Sequence, residues 1–167
     1  MTRPTAAQAV RPRVQSSITS ENLDDPALFA DLASTSEGAV LIFRGRVREA
    51  NEGRRVASMT YEAYEAMAER ELADICHEAV GRFEVGAVSA AHRVGNLELG
   101  ETSVAIAVAS AHRDPCYAAS RWIIEQIKER LPVWKHEHLV DGTSVWIGAP
   151  GEVGVPAARG DATESGR

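Results

Sequence analysis

The 167-residue sequence has only two cysteines, Cys76 and Cys116, and they are not arranged as a CxxC pair. Two isolated thiols are too few for a disulfide framework or a cysteine zinc site, so we expect reduced thiols and no metal site. Cations are also outnumbered, because 18 lysines and arginines stand against 24 carboxylates for a net charge of −6. This balance excludes a general nucleic-acid-binding surface, and any anion site must be local.

Long apolar runs are absent as well. No stretch approaches the roughly 20 apolar residues that cross a bilayer, and residues 1–20 contain three arginines without an apolar signal core. We therefore expect a cytoplasmic protein without membrane association. The apolar share of 44% and the charged share of 25% are typical of one globular domain of this length.

The two ends of the chain differ in composition from its middle. Residues 1–18 and 150–167 are rich in small and polar residues and show no apolar period, which predicts flexible tails. Residues 19–149 contain no internal repeat and are predicted to form one domain.

Apolar periodicity within this domain predicts an α+β fold, in which two main helices pack on an antiparallel or mixed sheet. Strands are predicted at 38–48, 56–64, 85–92, 103–110, 133–138 and 143–147, with a turn at 95–100. The main helices are predicted at 67–83 and from a cap at Asp114 to about Leu131, where Pro132 ends the helix. A short helix is predicted to begin at Asp25-Pro26 and to include Leu28, Phe29 and Leu32.

Two lysines flank the proline that ends the second main helix. In an uninterrupted helix Lys128 and Lys135 would lie roughly 10 Å apart along the axis, but a bend at Pro132 can bring them closer. Two such cations can bind a phosphate, stabilise an oxyanion and transfer protons. The alternative is that Lys128 only complements the helix C-terminus while Lys135 is a solvated strand charge.

Two further basic clusters lie at the ends of predicted elements. Arg44, Arg46 and Arg48 form the basic end of the strand predicted at 38–48, where alternation places them on one face. His112-Arg113 lies at a predicted strand-to-helix junction, where anions are favoured. The three clusters together fit one concave site for a compact ligand that carries phosphate. Each cluster also has a structural interpretation. The arginines can simply discourage aggregation at an edge strand, His112 can pack in its loop, and Arg113 can pair with a surface carboxylate. His92-Arg93 also ends a strand and receives no role.

Cys116 and the tryptophans have both functional and structural interpretations. A thiol in the first turn of a helix beside Arg113 could be a nucleophile, and otherwise it is a small buried residue. The three tryptophans fit core or interface positions better than stacking platforms for nucleic acid.

Three motifs resemble, in order and spacing, the catalytic (large) subunit of molybdopterin synthase, the MoaE family. They are Phe43-Arg-Gly-Arg-Val-Arg48, Ser110-Ala-His-Arg113 and Lys128-Glu-Arg-Leu-Pro-Val-Trp-Lys135, and the likeness extends from Glu37 to Ile147. A fourth segment, from His92 to Gly100, is also similar to the family. The resemblance implies an α+β fold with a hammerhead-like subdomain and no resident cofactor.

The resemblance also implies a reaction and its partners. Sulfur passes from the C-terminal thiocarboxylate of a small ubiquitin-like subunit to cyclic pyranopterin monophosphate, which forms the dithiolene of molybdopterin. The implied assembly is a homodimer of this chain within a heterotetramer, with some pocket residues crossing the dimer interface. Because the sulfur arrives on the partner, Cys116 becomes dispensable.

The same resemblance assigns residues by position. Lys128 and Lys135 are the implied catalytic residues. The implied substrate contacts are Arg46, Val47, Arg48, His112, Arg113, Lys128, Lys135, His136 and Glu137. The sequence departs from the family at Ile124, where a longer methionine can occur, and in the lack of a basic residue directly after Trp146. Two other functions remain open, namely a non-catalytic anion-binding assembly subunit and a thiol transferase or phosphatase that depends on Cys116.

Overall fold

The strands and helices are given by a computed structural model, which describes residues 13–24, 29 and 31–148. Within these residues the two α-helices are α1 (Glu65–Phe83) and α2 (Arg113–Arg130). The strands are β1 (Arg13–Thr19), β2 (Ala39–Arg46), β3 (Ala50–Asn51), β4 (Arg54–Ala63), β5 (Ala87–Arg93), β6 (Gly95–Glu98), β7 (Thr102–Ser110), β8 (Val133–Leu139) and β9 (Ser144–Ile147). No helix in this part of the chain is long and apolar enough to cross a membrane.

The strands form two sheets. The first has the order β1-β5-β7-β2, with β1 parallel to β5 and the other pairs antiparallel. The second has the order β3-β4-β8-β9, with β6 also paired to β4, and all its pairs are antiparallel. The prediction of an α+β fold with two main helices on a mixed sheet is confirmed.

The core lies on both faces of the first sheet. Its central strands β5 and β7 are buried almost throughout and rich in alanine, which lets other elements approach closely. The two helices cover one face, and Leu23, Phe29 and Leu32 lie in the cluster on the other. The apolar face predicted for α1 is buried, and burial raises the pKa of the Cys76 thiol to about 12, so this thiol belongs to the core.

The end of α2 is fixed in two ways. Leu131 donates its N–H to the carbonyl of Ile127, and the chain then leaves the helix at Pro132 and returns as β8. Arg130 reaches across to α1, with Nε 2.6 Å from Oε1 of Glu71 and Nη2 2.8 Å from Oε1 of Glu78. The last turn of α2, which carries Lys128, is therefore held against α1.

The N-terminal boundary differs from its prediction. A flexible tail through residue 18 is wrong for residues 13–18, because β1 begins at Arg13. Val14 and Ile18 alternate toward the core while polar residues between them mask the pattern. Residues 1–12 and 149–167 lie outside the described residues, as do 25–28 and 30, which include most of the predicted short helix.

Three local predictions are also corrected. Residues 95–98 form β6 rather than a turn, because they pair with β4. Asp114 does not cap α2: His112 occupies the N-cap, without a side-chain cap bond, and Asp114 lies in the first turn. The predicted strand 38–48 ends at Arg46, where a bulge at Gly45 and Arg46 breaks the alternation that would have aligned Arg48 with Arg46.

Candidate active site

A cavity of about 440 Å³ lies between the C-terminal half of α2 and the facing ends of the two sheets. Three cations line it: Arg46 at the end of β2, Lys128 in the last turn of α2, and Lys135 on β8. Apolar side chains of α2 and β8 form much of the remaining wall. This combination of apolar wall and few convergent charges is typical of a site for a small anionic ligand.

Lys128 and Lys135 are the only lysines in the whole sequence, and the other 16 cations are arginines. Both lysines line this one cavity. The chain reversal at Pro132 is what allows this, because it places β8 beside the helix that it follows. An arginine stays protonated in proteins, whereas a lysine can release a proton. The cavity therefore contains both lysine side chains of the sequence.

Lys135 belongs to a hydrogen-bonded network that extends to Arg48. The Nζ of Lys135 lies 3.0 Å from Oε1 of Glu137. The same oxygen accepts a bond of 2.7 Å from Nδ2 of Asn51, whose Oδ1 accepts one of 3.1 Å from Nη2 of Arg48. The Glu137 side chain is fully buried, and its Oε2 has no hydrogen-bond partner among the described residues. One buried carboxylate thus fixes the ammonium of Lys135 and, through Asn51, links it to Arg48.

Arg46 is held at the rim of the cavity by a backbone contact. Its Nε donates to the carbonyl of Gly100 at 2.6 Å. Gly100 has φ of 84°, and a Cβ at this position would lie 3.1 Å from Nη2 of Arg46. Both the positive φ and the close guanidinium therefore favour glycine here.

The N-terminus of α2 is not part of this cavity. His112 and Arg113 are exposed there, and Arg113 lies 3.8 Å from Asp114 in a solvent-exposed ion pair. Arg113 precedes Lys128 by 15 residues of one helix, which places the two about 22 Å apart along its axis. Within one chain His112 and Arg113 therefore lie outside the cavity, and of Arg44, Arg46 and Arg48 only Arg46 lines it. One site shared by the three basic clusters stays a prediction.

Three other expected substrate contacts have different surroundings from the lysines. Val47 is buried in a cluster with Met59 and Leu97, so its side chain belongs to the core. Glu137 is also buried and contacts Lys135 rather than open space. His136 points to the opposite face of β8, where its ring stacks on Trp146 with centroids 4.2 Å apart.

Cys116 is 1% exposed, and burial raises the pKa of its thiol. Its Sγ lies 3.6 Å from the carbonyl oxygen of Ala39. A buried thiol with a raised pKa is a poor nucleophile. The structure therefore favours the structural interpretation of this residue.

Two residues near the lysines are missed by the sequence analysis, namely Asn51 and His92. Asn51 ends β3, and the two residues after it, Glu52 and Gly53, have positive φ angles of 48° and 79°, the pattern of a tight hairpin. The hairpin directs Asn51 to Glu137, 86 positions later in the chain. His92 also lines the cavity, although it lies near the end of β5 in the first sheet, whereas Lys135 lies on β8 in the second. Neither contact has a signal in the local sequence.

A second, more open groove of about 790 Å³ runs between β2 and α2. It shares Phe43, Ile124 and Lys128 with the cavity, so the two are continuous. Ile42 and Tyr117 in this groove are large exposed side chains, with 46% and 60% of their surface accessible. An extended segment lying in the groove would therefore reach Lys128.

The fold and the cavity together define an α+β domain whose cavity carries Arg46, Lys128 and Lys135. The sequence matches the family described as MoaE protein over residues 18–130. The molybdopterin synthase catalytic subunit of Pyrococcus abyssi is 38% identical over 139 residues, which cover 83% of this chain and 92% of that protein. The chain belongs to the MoaE family.

Solved structures agree with this assignment. The crystal structure of molybdopterin synthase from Staphylococcus aureus superposes with a TM-score of 0.74 at 37% identity, over 80% of this chain and 96% of that one. A complex of subunits 1 and 2 of molybdopterin-converting factor from Helicobacter pylori has a TM-score of 0.61 at 19% identity, over 81% of this chain and 90% of that one, and it shows the same fold. The identity to the Pyrococcus abyssi subunit and to the Staphylococcus aureus enzyme shows that the chain has an enzymatic role in molybdopterin formation.

Proposed function

We propose that this chain is the catalytic subunit of a molybdopterin synthase and that the cavity of Arg46, Lys128 and Lys135 is its active site. The observation that carries the proposal is the meeting of both lysines of the sequence in one cavity. The substrate is cyclic pyranopterin monophosphate, and the sulfur donor is the C-terminal thiocarboxylate of a small ubiquitin-like subunit. The cavity volume of about 440 Å³ suits one small ligand.

The cations of the cavity have complementary roles in this reaction. Arg46, held by Gly100, binds phosphate at the rim. Lys128 and Lys135 stabilise the negative charge that develops as the cyclic phosphate opens, and they transfer protons to the groups that leave. Glu137 keeps the Lys135 ammonium in place for this work.

The sulfur reaches the pterin through the donor tail. The thiocarboxylate sulfur bonds to a side-chain carbon of the pterin while a carbon–oxygen bond of that carbon breaks, and the oxygen leaves on the opened phosphate for one sulfur and as water for the other. Water then cleaves the acyl–sulfur bond, which leaves the sulfur on the pterin and the donor as a carboxylate. Two donors are consumed for each dithiolene. The groove between β2 and α2 supports this route, because it is continuous with the cavity at Lys128 and its exposed apolar side chains suit an extended tail.

Reconstitution of the reaction tests the proposal. The full chain, cyclic pyranopterin monophosphate and thiocarboxylated small subunit are expected to form dithiolene, and small subunit with an ordinary carboxylate is expected to form none. Cys116→Ser is the matched control, because this buried thiol lies outside the cavity, and it should retain a rate within about twofold of the wild type. Binding of substrate and partner without any product would instead support an assembly subunit, and loss of activity in Cys116→Ser would support thiol chemistry.

We further propose that a second copy of the chain supplies His112 and Arg113 to the cavity. Both residues are exposed about 22 Å from Lys128 of their own chain, too far to touch a ligand bound there. A homodimer can bring the N-terminus of α2 from one copy to the lysines of the other. The implied assembly is this homodimer with one small subunit at each end.

Mixed dimers test this exchange. We expect Lys128→Ala and Arg113→Ala each to be nearly inactive alone. Purified dimers with one chain of each kind contain one intact cavity of two, so they should regain about half of the wild-type rate. If Arg113 instead served the cavity of its own chain, both cavities would be damaged and no activity would return.

A further inference from the structure

His92 is the buried ionisable side chain of the cavity to which no role has been given. It lies near the end of β5, is 6% exposed, and lines the same cavity as Arg46, Lys128 and Lys135. Its ring packs against that of Tyr61 in a T-shaped arrangement, with centroids 5.2 Å apart and an interplanar angle of 70°. This packing between the two sheets fixes the orientation of the imidazole.

The hydrogen bonds of His92 define which ring nitrogen carries the proton. Its Nδ1 lies 2.9 Å from the carbonyl oxygen of Arg93. A carbonyl only accepts, so Nδ1 carries the proton and donates. Burial lowers the pKa of His92 to about 4, so at neutral pH the ring is uncharged and Nε2 holds a free lone pair. Nε2 makes no hydrogen bond to any residue that the structure describes.

The charged groups of the cavity can only donate, because Arg46, Lys128 and Lys135 present N–H groups. The Ser103 hydroxyl already donates to the carbonyl of Gly45, so toward a ligand it can only accept. The Tyr61 hydroxyl can donate or accept, so it does not impose a direction. A ligand with an anionic end and ring N–H groups therefore finds several donors for its anion, and acceptors for its N–H groups at His92 and Ser103.

We propose that His92 is a specificity-determining residue whose Nε2 accepts a hydrogen bond from an N–H group of the bound pterin ring. The inference rests on the proposed function, and it adds the part of the site that recognises the heterocycle rather than the phosphate. Its physical basis is that a bound ligand shields Nε2 from water, so a ligand without a matching donor leaves this acceptor unpaired at a cost and is bound less well.

Binding to the full chain tests the inference, with cyclic pyranopterin monophosphate and inorganic phosphate as separate probes. His92→Phe keeps an aromatic ring against Tyr61 but removes the acceptor, and it should weaken binding of the pterin by about 10- to 100-fold while leaving phosphate binding within about twofold of the wild type. His92→Gln, which returns an acceptor oxygen, should recover part of the pterin affinity.

Two results would overturn the inference: unchanged pterin affinity in His92→Phe, or equal losses for pterin and phosphate. A wild-type chain that binds no pterin would instead overturn the proposed function and the inference together. A measurement on the unmodified protein covers the case in which His92→Phe does not fold. The ¹⁵N signal of the unprotonated Nε2 should move when the pterin is added and stay in place with phosphate, and the reverse pattern would contradict the inference.

Discussion

Replacement of Lys128 or Lys135 by alanine is expected to lower the rate of dithiolene formation by about 100- to 1,000-fold, the usual loss when a proton-transferring or oxyanion-stabilising group is removed. Neither side chain lies in the hydrophobic core, and Lys128→Ala should fold. Lys135→Ala leaves the buried Glu137 carboxylate without its ion partner, so its fold is checked by circular dichroism before the assay. Single-turnover assays with saturating substrate and donor measure the effect on the chemical step. Turnover equal to the wild type in either variant would contradict the catalytic assignment of that lysine.

Arginine at the same positions separates charge from proton transfer. Lys128→Arg and Lys135→Arg keep the cation but cannot release a proton under these conditions. We expect substrate affinity within about threefold of the wild type but a rate still reduced by about 100-fold. Recovery of the full rate with arginine would mean that the lysine acts through its charge alone.

The second large effect concerns Glu137. Removal of this fully buried carboxylate leaves the Lys135 ammonium without its ion partner and the Asn51 amide without an acceptor. Breaking a buried pair costs about 3–5 kcal/mol, and Glu137→Ala should fall at the lower end because Lys135 keeps some access to water. Chemical denaturation measures this change in the free energy of unfolding.

Glu137→Gln distinguishes positioning from stability. The glutamine keeps an acceptor for Asn51 and nearly the same volume, but it loses the charge that holds Lys135. We expect kcat to fall by about tenfold, because the ammonium is less well placed. Affinity for the phosphorylated substrate should not weaken, because a negative charge near the anion has been removed. A parallel loss of affinity and kcat would indicate general disruption of the site.

The parts of the fold that the sequence predicts are those with local patterns. The 3.6-residue period of α1, the apolar run of β7 and the stop at Pro132 depend on near neighbours, and each is found as expected. The strand β1 is missed because its polar residues hide a weak alternation, and its stability comes from pairing with β5, about 70 positions away in sequence.

In the site, too, the features set by neighbouring residues could be predicted and those set by distant contacts could not. The bend between Lys128 and Lys135 is local, so their meeting in one cavity could be anticipated. Strand alternation places Glu137 and His136 on opposite faces of β8. The sequence motif does not indicate which elements cover each face, so it predicts neither the burial of Glu137 nor the stacking of His136 on Trp146. Asn51 and His92 reach the site only through contacts between distant segments, and residue types alone do not give those contacts.

The central claim is that the two lysines contact one ligand, and the scarcity of lysine permits a direct measurement. Reductive methylation with ¹³C-formaldehyde labels only Lys128, Lys135 and the N-terminal amine of the chain. Titration with cyclic pyranopterin monophosphate is predicted to shift the signals of both dimethyl-lysines with one common dissociation constant. A ligand that shifts one signal alone, or the two with different dissociation constants, would contradict the account.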